Sequence, residues 1–145
     1  MKNKLAGFTL VELMISIAII ALLLSIAIPS YLQHVRKSKR AEAQGALVSF
    51  ANAMEVWRLQ NNGSYLGAAA GSAATGAPSV FSTVVPISGG RTTYNLTINA
   101  ATASTYTLRA TPVTGPQAVD GWLAIDNFGT KTCEVAASCL NGTSW

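Results

Sequence analysis

One acidic residue interrupts an apolar run near the start of the chain. Glu12 lies four residues after Phe8, and residues 8–28 contain few other polar side chains. A carboxylate at the centre of a membrane helix costs roughly 2.5–3.5 kcal/mol. A positively charged partner reduces that cost, and residue 8 lies one helical turn from Glu12. The carboxylate in this apolar run therefore needs an explanation.

Two cysteines are the other residues with reactive side chains. Cys133 and Cys139 lie close together near the C-terminus, which favours a disulfide in an oxidising compartment; two free cytosolic thiols are the alternative. A zinc site is not expected, because the single histidine, His34, is distant in sequence. The chain lacks a Ser-His-Asp set, a glycine-rich phosphate loop and closely spaced carboxylates. We therefore expect no catalytic residue, metal or cofactor.

The composition indicates one domain with an apolar appendage. The chain has 145 residues, of which 50% are hydrophobic and 11% charged, with a net charge of +4. Lys2 and Lys4 precede the apolar run, four basic residues follow it within residues 36–40, and beyond Ala41 the charges nearly balance. The globular part therefore has no basic surface that implies nucleic-acid binding.

Three interpretations of the N-terminus compete. A secretory signal cleaved after Ala27 fits the basic start, but Glu12 and the length of the run argue against it. A plain membrane anchor fits the length, because residues 8–28 span about 31 Å as a helix. It leaves Glu12 unexplained, and the positive-inside rule would place the C-terminal domain in the cytoplasm.

The third interpretation rests on a motif. The leader ends at Gly7 and is followed by Phe8, Thr9, Leu10, Val11 and Glu12, and then by an apolar stretch that reaches Pro29. This arrangement resembles the prepilin signal of type IV pilins and of type II secretion pseudopilins. The resemblance implies that prepilin peptidase cuts between Gly7 and Phe8 and N-methylates Phe8. It also implies that Glu12 receives the Phe8 amine of the next subunit and sets the register of assembly.

The resemblance extends to fold and function. It implies an α+β pilin fold, in which a long N-terminal helix packs against an antiparallel β-meander and Cys133 and Cys139 bound a C-terminal loop. The expected product is a structural subunit of a type IVa pilus, a homo-oligomeric helical filament with other pilins, that supports adhesion, twitching motility or DNA uptake. The expected partners are prepilin peptidase, the inner-membrane assembly platform and, before assembly, membrane lipid. The prepilin is expected in the inner membrane with its C-terminal domain in the periplasm.

The elements that position these residues follow from the sequence pattern. We expect a leader at 1–7, a membrane and filament-core helix at 8–29, an amphipathic continuation at 30–62, and a loop and sheet at 63–145. Pro29 is expected to kink or locally melt the helix, and Asn61, Asn62 and Gly63 to end it. Residues 67–79 indicate a flexible surface loop. Strands are predicted at 94–98, 105–113 and 122–126, with turns at 114–117 and 126–129.

Two alternatives stay open for the role. The basic stretch from His34 to Arg40 is interpreted as a solvated collar partly paired with Glu42, and contact with DNA or anionic lipid is the alternative. A minor pilin or a type II secretion pseudopilin is the nearest alternative identity. A secreted soluble binding domain is the more distant one.

Overall fold

One long helix precedes a five-stranded sheet. The computed structural model describes residues 8–113, 115, 117–134, 139 and 144–145. The chain divides into two units, the first ending at Val35 and the second comprising Arg36–Trp145, and the helix contributes residues to both. The elements are α1 (Leu10–Gln60), β1 (Val84–Val85), β2 (Tyr94–Ala101), β3 (Tyr106–Pro112), β4 (Leu123–Asp126) and β5 (Lys131–Cys133).

The helix ends where its sequence predicts. Asn62 and Gly63 have positive φ angles of 51° and 81°, and the Gly63 N–H donates to the Arg58 carbonyl at 2.9 Å. This left-handed cap satisfies a carbonyl that the last turn leaves free. Residues on both sides of Pro29 are helical, so α1 is not interrupted there and local melting is the wrong expectation. A kink at Pro29 stays a prediction.

The strands form an antiparallel meander in the order β1-β2-β3-β4-β5. The three predicted strands correspond to β2, β3 and β4, and the predicted α+β class is confirmed. The sequence analysis missed β1 and β5, because strands of two and three residues are too short to show an alternating pattern. Of the two predicted turns, residues 126–129 form one with a Gly129 N–H to Asp126 carbonyl distance of 3.0 Å. Residues 114 and 116 of the other lie outside the described residues.

The hydrophobic core belongs to the second unit. The buried apolar face of α1 consists of Ala43, Ala46, Leu47, Phe50 and Met54, and Trp57 is partly buried at its end. These side chains cluster with inward-facing residues of the sheet, including Leu96, Leu108 and Leu123. Phe50 also stacks on Phe81, with ring centroids 5.3 Å apart. Alternate residues of β2 and β3 are buried, so the opposite face of the sheet points outward.

The loop after the helix is less free than its composition suggests. The Ala70 N–H donates to the Ala77 carbonyl at 2.8 Å, and Gly76 and Ile98 exchange two backbone hydrogen bonds of 2.9 and 2.8 Å. Gly76 thereby pairs with β2 at the bulge between Ile98 and Ala100. Residues 70–77 are exposed as predicted, whereas Ala68, Ala69 and Pro78 of the predicted surface loop are buried. A loop without fixed partners is not what the structure shows.

Candidate assembly helix and basic surfaces

The first half of α1 exposes an apolar surface that none of the described residues covers. Every residue from Phe8 to His34 is exposed, and the large apolar side chains among them are between about half and four-fifths accessible. This part of α1 is long and apolar enough to cross a membrane, and none of it is buried inside the structure. Burial of one large apolar side chain stabilises by about 1.5–3 kcal/mol, so this surface favours either lipid or other protein over water.

Glu12 lies in the first turn of α1, on this exposed surface. Its backbone N–H donates to the Thr9 hydroxyl at 3.2 Å, and the Leu13 N–H donates to the Thr9 carbonyl at 3.2 Å. Thr9 is therefore the N-cap of α1, a role that sequence analysis missed although Thr9-Leu10-Val11-Glu12 has the spacing of a capping box. Among the described residues, no cation or hydrogen-bond donor reaches the Glu12 carboxylate. Phe8 is exposed, and Gly7 lies outside the described residues.

The basic stretch after the apolar run is not a uniform collar. Arg40 is only 8% exposed, and its Nη1 donates to the Asp120 carbonyl at 3.0 Å. One turn earlier, the Gln117 Nε2 donates to the Arg36 carbonyl at 3.2 Å. Arg40 is thus a structural residue that ties α1 to the β3–β4 connection. Arg36 and Lys39 are half-buried, and Lys37 is exposed. Among the described residues Glu42 forms no ion pair with this stretch, so the expected pairing is wrong.

Tyr94 lies in the same buried polar cluster as Arg40. Burial raises the pKa of Tyr94 to about 12, and the Asp120 carboxylate adds to the increase, while Arg40 and Gln117 act in the opposite direction. The Tyr94 hydroxyl and the Arg40 Nη2 are buried and make no hydrogen bond within the part of the chain that the structure describes. Unpaired buried polar atoms are costly, so the neutral form of Tyr94 is strongly preferred.

A second set of cations lies on the sheet. Arg109 points outward from β3 between Thr97 of β2 and Ala124 of β4, and its guanidinium lies 4.5 Å from the ring centre of Trp122. Lys131 of β5 is exposed and lies 4.6 Å from the ring centre of Trp145. Arg91 is exposed in the connection between β1 and β2. Sequence analysis overlooked these residues, because only the strand register shows that Arg109 lies on the outer face and that Lys131, opposite Ile125 in β4, lies on the other face at the sheet edge.

The two cysteines form the expected bond. Cys133 at the end of β5 is joined to Cys139 by a disulfide, with the Cα atoms 6.1 Å apart. Next to β5, the Trp145 Nε1 donates to the Ala124 carbonyl at 3.0 Å. The disulfide and Trp145 therefore both attach the C-terminal segment to the last two strands.

Two family models match consecutive parts of the chain. The first, "Prokaryotic N-terminal methylation motif", matches residues 2–28. The second, "Type IV minor pilin ComP, DNA uptake sequence receptor", matches residues 29–124, which is more than half of the chain. The chain belongs to the type IV pilin family. The resemblance read from the residues between Gly7 and Pro29 is thereby confirmed.

Relatives of this pilin include both pilus and secretion proteins. It is 42% identical over 82 residues to "Fimbrial protein EcpC" of Eikenella corrodens, covering 52% of this chain and 50% of that protein. It is 33% identical over 61 residues to "Type II secretion system core protein G" of Aeromonas hydrophila, covering 42% of this chain and 43% of the relative. The pilin thus spans half the length, or less, of these curated relatives.

A solved structure is similar in architecture. The crystal structure of the "non-core minor pilin PilV" of Neisseria meningitidis aligns with a TM-score of 0.48 and 17% identity. The alignment covers 70% of this pilin and 88% of that chain. A similarity of this size carries no functional conclusion.

Proposed function

We propose that this pilin is a minor structural subunit of a type IV pilus and that it contacts DNA during uptake. The observation that carries the proposal is the match of residues 29–124 to a family described as a minor pilin and DNA uptake sequence receptor. The role is structural and not catalytic. Of the three roles expected from the sequence, DNA uptake is the one that this match supports.

The cations of the sheet and of its edge are the favoured DNA contacts. Arg91, Arg109 and Lys131 are the cations on or beside β2, β3 and β5, and Arg109 and Lys131 each lie against a tryptophan ring. Lys and Arg side chains that contact phosphates release counterions, so binding weakens as salt increases. The basic stretch near Arg36 is the competing surface. Its Arg40 side chain is buried and donates to the Asp120 carbonyl, so it is not available for DNA.

Binding of duplex DNA to the full-length pilin in detergent micelles tests this proposal. With about three phosphate contacts, the logarithm of the association constant should fall against the logarithm of salt with a slope of about −3. A variant with Arg91→Gln, Arg109→Gln and Lys131→Gln should bind at least tenfold more weakly. Fluorescence anisotropy with a labelled duplex measures both quantities.

The matched control changes the competing surface. Lys37→Gln with Lys39→Gln removes charges that no described contact ties to the fold, and it should leave DNA affinity nearly unchanged. If this control lost binding while the sheet variant kept it, the surface assignment would be wrong. If the unmodified pilin bound no duplex of any sequence in a randomised pool, the DNA role itself would be rejected.

We infer that the chain is processed and located as the motif implies. Prepilin peptidase cuts between Gly7 and Phe8 and methylates the new amine. The prepilin lies in the inner membrane, with its disulfide-bearing domain in the periplasm. The match to the methylation motif over residues 2–28 and the disulfide support this. Mass spectrometry of the mature N-terminus tests the cleavage: N-methyl-Phe8 is expected, and a start at Ile28 contradicts it.

Glu12 is the proposed assembly residue in the filament. Its carboxylate has no partner among the described residues, which fits acceptance of the Phe8 amine from a neighbouring subunit. The assembly platform of the inner membrane and other pilins complete the set of proposed partners. Pro29 is proposed to let the helix adjust at the point where the core segment ends.

A further inference from the structure

Phe128 lies at the tip of the turn between β4 and β5, where its ring points into solvent. The residue is 80% exposed, and it belongs neither to the described hydrophobic core nor to a described ring pair. Exposure of a single apolar residue is common in proteins. What distinguishes Phe128 is the rigidity of its turn and the chemistry of the residues beside it.

Hydrogen bonds within the turn hold the backbone of Phe128 in place. The Asp126 carboxylate accepts the Phe128 N–H at 2.9 Å and the Thr130 N–H at 2.8 Å. The Gly129 N–H donates to the Asp126 carbonyl at 3.0 Å, and Gly129 has a φ of 78°, which favours glycine. A side chain on a preorganised backbone loses less conformational freedom on binding, so this turn is suited to recognition.

Polar residues follow Phe128 along this edge of the sheet. Residues 128–132, which we call the edge segment, are all exposed, and after Phe128 they are Gly129, Thr130, Lys131 and Thr132. The next carboxylate in the chain, Glu134, accepts the Trp122 N–H at 3.1 Å. One ring in a polar segment is not the contiguous apolar patch that contact with lipid or another subunit requires. A ring beside a cation instead suits DNA, in which the bases lie between two phosphate backbones.

The two cations nearest to this edge lie on opposite faces of the sheet. Arg109 is on the outer face, in a row with Ala124 and Thr132 across β3, β4 and β5. Lys131 is opposite Ile125, a core residue, so Lys131 lies on the other face. A duplex that lay flat on one face would reach one of these cations only. An edge that enters a groove has a phosphate backbone on each side, so both cations can reach phosphates.

The dimensions of the two grooves favour the major groove. A sheet with its side chains is about 10 Å thick, since packed sheets lie that far apart. The major groove is about 12 Å wide and the minor groove about 6 Å, so the major groove is the one that admits the sheet edge. Thymine presents a C5-methyl group in the major groove, and phenylalanine is among the side chains that make apolar contact with it.

We propose that the edge segment enters the major groove of duplex DNA and that Phe128 contacts the C5-methyl group of a thymine. Arg109 and Lys131 contact phosphates on the two sides of the groove. The proposal rests on the proposed contact with DNA, to which it adds a recognised base and the residue that recognises it. Because Phe128 is uncharged, its contribution does not depend on the release of counterions.

Replacement of thymine by uracil tests the base contact. The probe is the tightest-binding duplex from a randomised pool, prepared either with thymine or with deoxyuridine at every thymine position. The unmodified full-length pilin in detergent should bind the deoxyuridine duplex about fourfold more weakly, because one buried methyl group is lost. Phe128→Ala should bind the two duplexes equally. Equal binding by the unmodified pilin, or an undiminished preference for thymine in Phe128→Ala, would overturn the proposal.

Salt dependence separates the role of Phe128 from that of the cations. Phe128→Ala should bind the thymine duplex at least fourfold more weakly with an unchanged salt slope, since no phosphate contact is lost. Lys131→Gln should instead reduce the magnitude of the slope by about 1. Leu59→Ala is the matched control: Leu59 is an apolar residue, 84% exposed, in the last turn of α1, and its removal should change neither quantity. An altered slope for Phe128→Ala would contradict the assigned contact.

Stability and filament entry exclude other roles for the ring. The thermal midpoint of Phe128→Ala should equal that of the unmodified chain, because the ring packs against no described core residue. If this variant kept its DNA affinity and entered filaments at least tenfold less efficiently, the ring would lie between subunits and the base contact would be rejected. Failure of the unmodified pilin to bind any duplex would instead reject the proposed DNA role.

Discussion

The two halves of α1 are parts of one helix, and they are stabilised in different ways. From Phe8 to His34 all side chains are exposed, whereas six residues from Arg40 to Met54 are buried against the sheet. Both halves are rich in helix-forming residues, so propensity does not distinguish them. The difference lies in what covers the apolar surface: the second half is covered by its own domain, and the first half requires lipid or neighbouring subunits.

The contrast extends to buried polar groups. In the second unit Arg40 is buried and is met by the Asp120 carbonyl within the same chain. In the first unit the Glu12 carboxylate has no partner among the described residues, although it lies in the most apolar part of the molecule. One nitrogen of the Arg40 guanidinium thus has a partner in its own chain, whereas a carboxylate without a partner favours assembly that supplies one.

Removal of the Glu12 carboxylate is the strongest test of this contrast. Glu12→Ala should be processed and inserted in the membrane, yet enter filaments at least tenfold less efficiently, because the amine of a neighbour then lacks its acceptor. The thermal stability of the second unit should not change. Quantitative immunoblots of sheared filaments against whole cells measure the effect. Normal filaments from this variant would remove the role assigned to Glu12.

Removal of a core aromatic is the reciprocal test in the second half. Phe50 is fully buried and stacks on Phe81. Phe50→Ala should lower the free energy of unfolding by about 3–5 kcal/mol, because it leaves a cavity in the core. Membrane insertion of the first half should be unaffected. Chemical denaturation followed by circular dichroism gives the first quantity and membrane fractionation the second; a loss below 1 kcal/mol would contradict the core assignment.

The sequence predicts most of the helix and the inner strands, for a physical reason. Apolar residues at helical spacing, such as Leu47, Phe50 and Met54, report directly on a buried face, and Asn62-Gly63 marks the helix end by its backbone preference. Short strands carry too few residues for such a pattern. β5 is recognisable only from its pairing with β4, in which Thr132 lies opposite Ala124.

The functional residues also differ in how far the sequence alone reveals them. Gly7, Phe8 and Glu12 form a local motif, so their spacing is visible in the sequence. The role of Arg40 depends on a carbonyl that is 80 residues away in the chain. Because its neighbours in sequence are also basic, the sequence alone suggests that Arg40 is part of a solvated collar. The contacts of Arg109 with Trp122 and of Lys131 with Trp145 likewise arise only when separate segments pack together.

High pH should weaken the second unit while leaving the first half of α1 unaffected. Burial raises the pKa of Tyr94 to about 12 in the folded state, against about 10 unfolded. A raised pKa gives stability that is complete below pH 10 and is lost as pH rises to about 12, and the loss amounts to roughly 2–3 kcal/mol. Tyr94→Phe should flatten this part of the pH profile of the thermal midpoint. Tyr65 and Tyr106 also have raised pKa values, so some slope should persist.

One outcome would contradict the prediction for Tyr94. The groups that face Tyr94 are Arg40, Asp120 and Gln117. An identical pH profile for Tyr94→Phe and the unmodified chain would show that the buried hydroxyl does not carry the effect.

Reduction of the disulfide should have the smallest effect, again confined to the second unit. The bond between Cys133 and Cys139 closes a short loop, for which chain entropy gives a stabilisation of about 2 kcal/mol. Cys133→Ala with Cys139→Ala should lower the thermal midpoint by several degrees, as should a reductant added to the unmodified chain. β5 has three residues and lies at the sheet edge, so its exchange protection should fall before that of β3. Equal loss of protection along α1 from Leu10 to Val35 would show that the two regions are coupled, contrary to the division drawn between them.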